Sequence, residues 1–245
     1  MRPYRVSAGR VVQVYAAIIL MGAFLAGFHP VGIAAEIIPG VLEGFTGWYA
    51  TVRSLRADFR QTTFNPLWGE KQEAQGEFWF KKPGLMRWQY TMPQKDVITI
   101  SEEGLCWYIP EDEQVIRKSK EDAFTTVSPM SLLGENMELE KDFEITGMEE
   151  IREEGEDEKG KARRVVGYVI HMKPRNEQMP VTRVDIEVRA EKFSLAAISV
   201  EEPSGNTNRI AFEALAKNPE VPADLFRFVP PPGTKVITPK DFPAL

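Results

Sequence analysis

Histidine and cysteine are scarce in this 245-residue chain, which holds two histidines and one cysteine. His29 lies in the N-terminal leader, so His171 is the only histidine of the remaining chain. One histidine seldom supplies a catalytic base or a metal site by itself, and Cys106 alone cannot form an internal disulfide. No G-x-S-x-G, H-E-x-x-H, C-x-x-C or glycine-rich phosphate loop occurs. We therefore expect neither an enzyme nor a cofactor.

An excess of positive charge is also missing, since the formal net charge is −6. The acidic residues between Glu149 and Glu158 lack the spacing of an EF-hand and alternate with Lys and Arg, which predicts a solvated loop and no metal site. Without the leader, which contains three arginines and no acid, the charge becomes −9. An acidic domain is a poor match for nucleic acid or an anionic membrane surface.

The leader has the order of a secretory signal peptide. Three arginines precede an apolar run over residues 11–28, and the small residues Gly32 and Ala34 follow. We predict a signal peptide over residues 1–35 and one domain over residues 36–245. The apolar run is close to the minimum length of a membrane-spanning helix, so a retained N-terminal anchor is the alternative.

Large apolar side chains alternate with polar ones between residues 76 and 115. Phe78 and Phe80 share one face of a predicted strand, and Trp88 and Tyr90 share one face of the next. A three-residue loop, Pro83–Leu85, would pair Phe80 with Trp88 and Phe78 with Tyr90, which puts the aromatic rings on the same face. The sequence therefore predicts a sheet with an unusually apolar face.

The remaining pattern is mostly β. Apolar residues at helical spacing predict a helix over residues 39–55, and Ser128-Pro129 predicts the start of a short helix that ends before Gly134. No repeat or linker is visible. Strands are predicted at residues 55–64, 72–82, 85–91, 96–101, 105–109, 114–118, 142–149, 164–172, 181–189, 194–201, 207–216 and 226–229.

Three segments of the chain together carry a family resemblance. The stretch from Gly76 to Trp88 reads G-x-F-W-F-K-K-P-x-x-M-x-W, the stretch 54–61 ends in Phe-x-Gln, and the tail 226–236 reads F-x-F-x-P-P-x-G-x-x-V. This ordered set resembles LolA, the periplasmic outer-membrane lipoprotein carrier. The resemblance implies a mainly β fold with helices, a single unclosed antiparallel β-barrel (half-barrel) with a helical lid over an apolar cavity.

The resemblance also implies the site. Lys82 stands where the family usually has an Arg that latches the lid, and it offers a flexible ammonium in place of a planar fork. Lid residues would be Met130, Leu132 and Leu133. The residues expected to line the cavity for acyl chains are Tyr49, Phe59, Phe78, Phe80, Met86, Trp88 and Tyr90.

By the same resemblance the protein would be a periplasmic monomer. It would accept acylated lipoproteins from an inner-membrane ABC transporter and pass them to an outer-membrane acceptor. Two alternatives remain open. One is a regulatory or sensor module of the same fold, which usually carries a second C-terminal domain, and the other is a carrier of a different lipid.

Overall fold

The computed structural model describes residues 37–119, 132, 139–157, 160–177 and 179–238. The predicted signal peptide lies outside these residues. Two α-helices occur among them, α1 (Val41–Ala50) and α2 (Leu139–Asp142), and two short 3-10 turns cover Pro110–Asp112 and Ala223–Phe226. The strands are β1 Ser54–Asn65, β2 Glu70–Lys81, β3 Leu85–Met92, β4 Val97–Ser101, β5 Gly104–Ile109, β6 Gln114–Lys118, β7 Phe143–Asp157, β8 Gly160–Pro174, β9 Arg183–Arg189, β10 Leu195–Glu201, β11 Thr207–Lys217 and β12 Lys235–Ile237.

All these strands belong to one sheet in the order β12-β6-β5-β4-β3-β2-β1-β11-β10-β9-β8-β7. The sheet is unclosed, with β12 and β7 at its edges. Neighbouring strands are antiparallel except β12, which pairs with β6 in parallel. The predicted fold class, mainly β around an unclosed sheet with few helices, is confirmed. The predicted strand at 226–229 is wrong, because Phe226 ends a 3-10 turn and the last strand begins at Lys235.

Alternation puts the apolar side chains on one side of this sheet. In β3, Met86 and Trp88 are fully buried, whereas Arg87 between them is only partly buried. Because paired residues point to the same side, cross-strand partners extend this apolar face over the neighbouring strands. We call it the apolar face; its buried members include Leu55, Ala57, Phe59, Phe78, Phe80, Met86, Trp88, Ile98, Ile100, Ile170, Ile186, Ile198, Ile210 and Phe212.

The register between β2 and β3 differs from the predicted one. Phe78 pairs with Trp88 and Phe80 with Met86, so the predicted pairs, Phe80 with Trp88 and Phe78 with Tyr90, are wrong. The loop has the predicted three residues, but they are 82–84 and not 83–85. Since the pairing differs by two residues, each side chain keeps its predicted face.

Lys81 pairs with Leu85, so Lys82 lies in the turn and not in the strand. The backbone N–H of Lys82 donates to the carbonyl of Arg53, 2.9 Å away, outside the β2–β3 ladder. Farther along the same pair Gly76 lies opposite Tyr90, and the register shifts between Gly76 and Gln75. A Cβ on Gly76 would lie 2.1 Å from the carbonyl oxygen of Gln89, so only glycine fits the observed backbone there.

Helix α1 packs three apolar side chains into the core. Val41, Phe45 and Tyr49 are spaced four residues apart and are all buried. At Gly44 an added Cβ would lie 2.5 Å from the Phe193 ring, so this glycine permits a close approach between the helix and the turn after β9. The helix is shorter than the predicted 39–55, because β1 already begins at residue 54.

Candidate ligand-binding face

The centre of the apolar face is an aromatic cluster. The Trp88 ring centroid lies 4.2 Å from that of Phe78, 5.0 Å from that of Phe59 and 6.1 Å from that of Phe212. Tyr90 meets Phe59 edge-to-face at 5.0 Å between centroids. Such tilted contacts are favourable beyond the area they bury. The rings therefore pack against one another as well as against the sheet.

The structure brings the seven predicted cavity residues to the core around this face. Six lie on strands, and Tyr49 reaches the core from α1. Six of the seven are buried, and Tyr90 is partly buried. The face is therefore covered in this conformation, and a ligand can reach it only if the covering elements move.

The predicted cavity residues also contact aromatic residues that the sequence prediction did not include. Phe212 pairs with Phe59 across β11 and β1, and Phe45 lies on α1 next to Tyr49. The alternation of β11 and the helical spacing of α1 were visible in the sequence. The pairing of β11 with β1 was not, because it joins residues about 150 positions apart.

Polar side chains form a row at one end of the face. The Tyr90 hydroxyl donates to Gln61 Oε1 over 2.8 Å, and Gln61 Nε2 donates to Asn208 Oδ1 over 3.0 Å. Burial, with a smaller contribution from the charge of Asp96, raises the pKa of Tyr90. This polar row lies one step along β3 beyond Trp88 and marks where the apolar lining ends.

A second polar pair lies beside it. The Trp107 indole N–H donates to Asp96 Oδ2 over 2.8 Å, while Asp96 Oδ1 is buried and has no hydrogen-bond partner. Burial raises the pKa of Asp96; the Trp107 bond opposes this rise, and the negative charges of Glu111 and Asp112 add to it. The Asp96 carboxylate is therefore held in a site that disfavours its charge.

Within the aromatic cluster one polar atom has no partner. Trp88 Nε1 is buried and makes no hydrogen bond. A buried donor without an acceptor is uncommon in folded proteins. This unpaired donor was not predicted, because Trp at this position was expected only as an apolar side chain.

Lys82, the predicted latch, contacts helix α1. Its Nζ donates to the backbone carbonyl oxygen of Tyr49 over 3.1 Å and lies 4.5 Å from the centroid of the Tyr49 ring. This carbonyl lies in the last turn of α1 and also accepts the backbone N–H of Val52 over 3.0 Å. Burial lowers the pKa of Lys82 and raises that of Tyr49. Lys82 thus joins the β2–β3 turn to the helix.

The predicted lid is described at one residue. Leu132 has 3-10 conformation, is partly buried and packs against the core. Met130 and Leu133 lie outside the described residues. The contact expected between Lys82 and the lid stays a prediction.

His171 lies away from the apolar face, and the described residues form neither a metal-binding cluster nor a membrane-spanning helix. His171 Nδ1 lies 2.7 Å from Asp185 Oδ1 on the side of β8 opposite Ile170 and the apolar face. Among the described residues, no group of three or more His, Cys, Asp or Glu could hold a metal ion. No described helix is both long and apolar enough to span a membrane.

Comparison with known proteins gives one consistent family. The family described as "Outer membrane lipoprotein carrier protein LolA" matches residues 50–229. An outer-membrane lipoprotein carrier protein of Methylococcus capsulatus is 31% identical over 191 residues, which is 78% of this chain and 84% of the relative. One from Chromobacterium violaceum is 27% identical over 207 residues, covering 84% of this chain and 92% of the relative.

A solved structure is also similar. The crystal structure of a LolA superfamily protein from Nitrosomonas europaea aligns over 77% of this chain and 96% of its own, with 14% identity and a TM-score of 0.42.

Proposed function

The chain belongs to the LolA family of outer membrane lipoprotein carrier proteins, and from this we propose that it binds the acyl chains of lipoproteins and carries them through an aqueous compartment to the outer membrane. The observation that supports this most directly is the apolar face, with its aromatic cluster of Phe59, Phe78, Trp88 and Phe212. Binding requires that the elements covering this face move aside.

The physical need for such a carrier follows from the hydrophobic effect. Each methylene moved out of water gains about 0.8 kcal/mol, so a molecule with several acyl chains does not cross water unaided. The free energy gained on cargo binding must exceed the free-energy cost of uncovering the aromatic cluster. The elements that cover the apolar face must therefore be held weakly enough that the free-energy cost of moving them permits both loading and release.

We further propose that residues 1–35 direct export to the periplasm. There the protein would accept its cargo from an inner-membrane ABC transporter, act as a monomer without catalysis, and deliver the cargo to an outer-membrane acceptor. The negative charge of the part beyond the leader agrees with a carrier that leaves the membrane surface once it is loaded.

A release experiment tests the proposal. Purified protein is incubated with spheroplasts that hold labelled lipoproteins at the inner membrane, and the supernatant is separated by size. We expect acylated protein in a one-to-one complex with the carrier. The same lipoprotein made without its acyl groups is the matched control and should not be carried. Absence of any acylated protein in the supernatant would contradict the proposed function.

A further inference from the structure

We propose that the indole N–H of Trp88 is the hydrogen-bond donor for the carbonyl oxygen of a bound acyl group. The proposal rests on the proposed function and makes it more specific: the site recognises the ester or amide carbonyl that ends an acyl chain, in addition to the hydrocarbon. Trp88 is a buried aromatic at the centre of the apolar face. Its Nε1 has no hydrogen-bond partner.

Nearby polar groups make this orphaned donor distinctive. The Tyr90 hydroxyl has Gln61 as its acceptor, and the Trp107 indole N–H has Asp96. The protein therefore supplies acceptors to these neighbouring donors and leaves Trp88 without one. Arg87 Nε is also buried without a partner, but strand alternation puts Arg87 on the other side of β3. A buried donor without a hydrogen-bond partner destabilises the protein, and a ligand that provides an acceptor removes this destabilisation.

The surroundings of Trp88 specify which acceptor fits. The rings of Phe59, Phe78 and Phe212 surround it, and they carry no positive charge. An ionised carboxylate would lose its hydration here without an opposite charge, whereas a neutral carbonyl needs only one donor. The site therefore suits an ester or amide carbonyl better than a free fatty acid.

The position of Trp88 along β3 also orients the ligand. Met86, Trp88 and Tyr90 share one face and are spaced about 7 Å apart, since each step is two strand residues. With its carbonyl at Trp88, a ligand would place its polar head near Tyr90 and Gln61. The chain would then extend past Met86 and across the apolar face.

Two lipids that differ in one carbonyl test the assignment. 1-Hexadecanoylglycerol and 1-O-hexadecylglycerol have the same head group and chain length, but only the first has an ester carbonyl. We expect the protein to bind the ester about 5- to 100-fold more tightly than the ether, as calorimetry would measure. In Trp88→Phe this ratio should fall to about one. In Phe78→Leu, which also makes a neighbouring ring smaller but keeps the indole, both affinities should fall and the ratio should persist.

An NMR measurement on the parent protein tests the same assignment. The indole 1H–15N resonance of Trp88, assigned by its absence in Trp88→Phe, should move downfield with the ester and not with the ether. If Trp88→Phe does not fold, the indole resonance is assigned from backbone connectivity, and the lipid pair is compared on the parent protein alone. If neither lipid binds, the same resonance is followed during loading with lipoprotein.

The outcomes separate this proposal from the proposed function. Equal affinity for ester and ether, or a Trp88 resonance that does not move on loading, overturns the donor assignment while lipoprotein release can still succeed. An unchanged ratio in Trp88→Phe overturns it as well. Failure of lipoprotein release and of binding to both lipids would instead contradict the carrier function.

Discussion

Removing the ammonium of Lys82 tests how the apolar face is kept closed. The Nζ donates to the Tyr49 carbonyl at the end of α1 over 3.1 Å and lies 4.5 Å from the centroid of the Tyr49 ring. Lys82→Met keeps the apolar stem and removes only the charge and its donors. The helix should then be held to the β2–β3 turn by packing alone.

The size of the effect can be bounded. A hydrogen bond from a charged donor contributes about 1.5–3 kcal/mol, and a cation–π contact at a partly exposed site adds about 0.5–1 kcal/mol. Burial lowers the pKa of Lys82, so desolvation of the ammonium offsets part of this gain. Solvent screening reduces it further. We expect a net loss of about 1 kcal/mol, which lowers Tm by about 2–4 °C.

Hydrogen exchange gives the more specific measurement. If the lost contact holds α1 closed, amides of residues 41–50 should exchange about five-fold faster in Lys82→Met, since 1 kcal/mol corresponds to about that factor. The variant should also retain cargo more and pass it on more slowly. Lys82→Arg, which restores a charged donor, should behave like the parent.

Lys81 provides a matched control. Its Nζ donates to the Val221 carbonyl over 2.9 Å, one residue earlier and away from α1. Lys81→Met should therefore lower Tm to a similar extent without changing exchange in α1 or the retention of cargo. Unaltered exchange of residues 41–50 and unaltered cargo retention in Lys82→Met would refute the latch.

Three further predictions concern single residues. Asp96→Asn should raise Tm at pH 7. Burial raises the folded-state pKa of Asp96, so the charged carboxylate opposes folding at pH values above that pKa. The amide oxygen of Asn can still accept the hydrogen bond from Trp107. The gain should disappear below about pH 4, where the carboxyl is protonated in both states; a gain that is constant with pH would contradict this. Gly76→Ala should lower the free energy of unfolding by about 1–3 kcal/mol, because the new Cβ would collide with the backbone of Gln89. A variant as stable as the parent in denaturant unfolding would show that β2 and β3 do not approach so closely there. Trp88→Glu should lower the free energy of unfolding by about 4 kcal/mol or more, and the variant should aggregate or unfold, because an unpaired carboxylate would enter a fully buried site. A stable, monomeric variant would instead show that water reaches the apolar face.

The last of these predictions reverses what the sequence alone indicates. From the sequence, an open apolar cavity would accept a charge at Trp88 without unfolding. The structure buries Trp88 fully against Phe59, Phe78 and Phe212. Strand alternation can show which side a residue faces, but not how closely the covering elements pack over that side.

The face of each β2 and β3 side chain was predictable because strand residues alternate with a period of two. Their register was not, because three-residue turns over 82–84 and 83–85 put every side chain on the same face, so alternation cannot distinguish them. The polar row was not predictable either, since the bond between Gln61 and Asn208 requires the long-range pairing of β1 with β11.

The sheet and its cover differ in how they can open. Breaking the sheet to admit a ligand would sacrifice a ladder of backbone hydrogen bonds, each costly to leave unmade away from water. Helix α1, by contrast, contains Gly44 and Gly47, which lower its intrinsic stability. It contacts the β2–β3 turn through Lys82, and Thr51 at its C-cap accepts hydrogen bonds from Lys217 and Asn218 at the end of β11. Movement of α1 would break these contacts and expose Val41, Phe45 and Tyr49, but it would leave the backbone ladder of the sheet unbroken, so we expect α1 to move before the strands do. Faster exchange in α1 with unchanged protection of β2 and β3 is therefore the expected signature of loading.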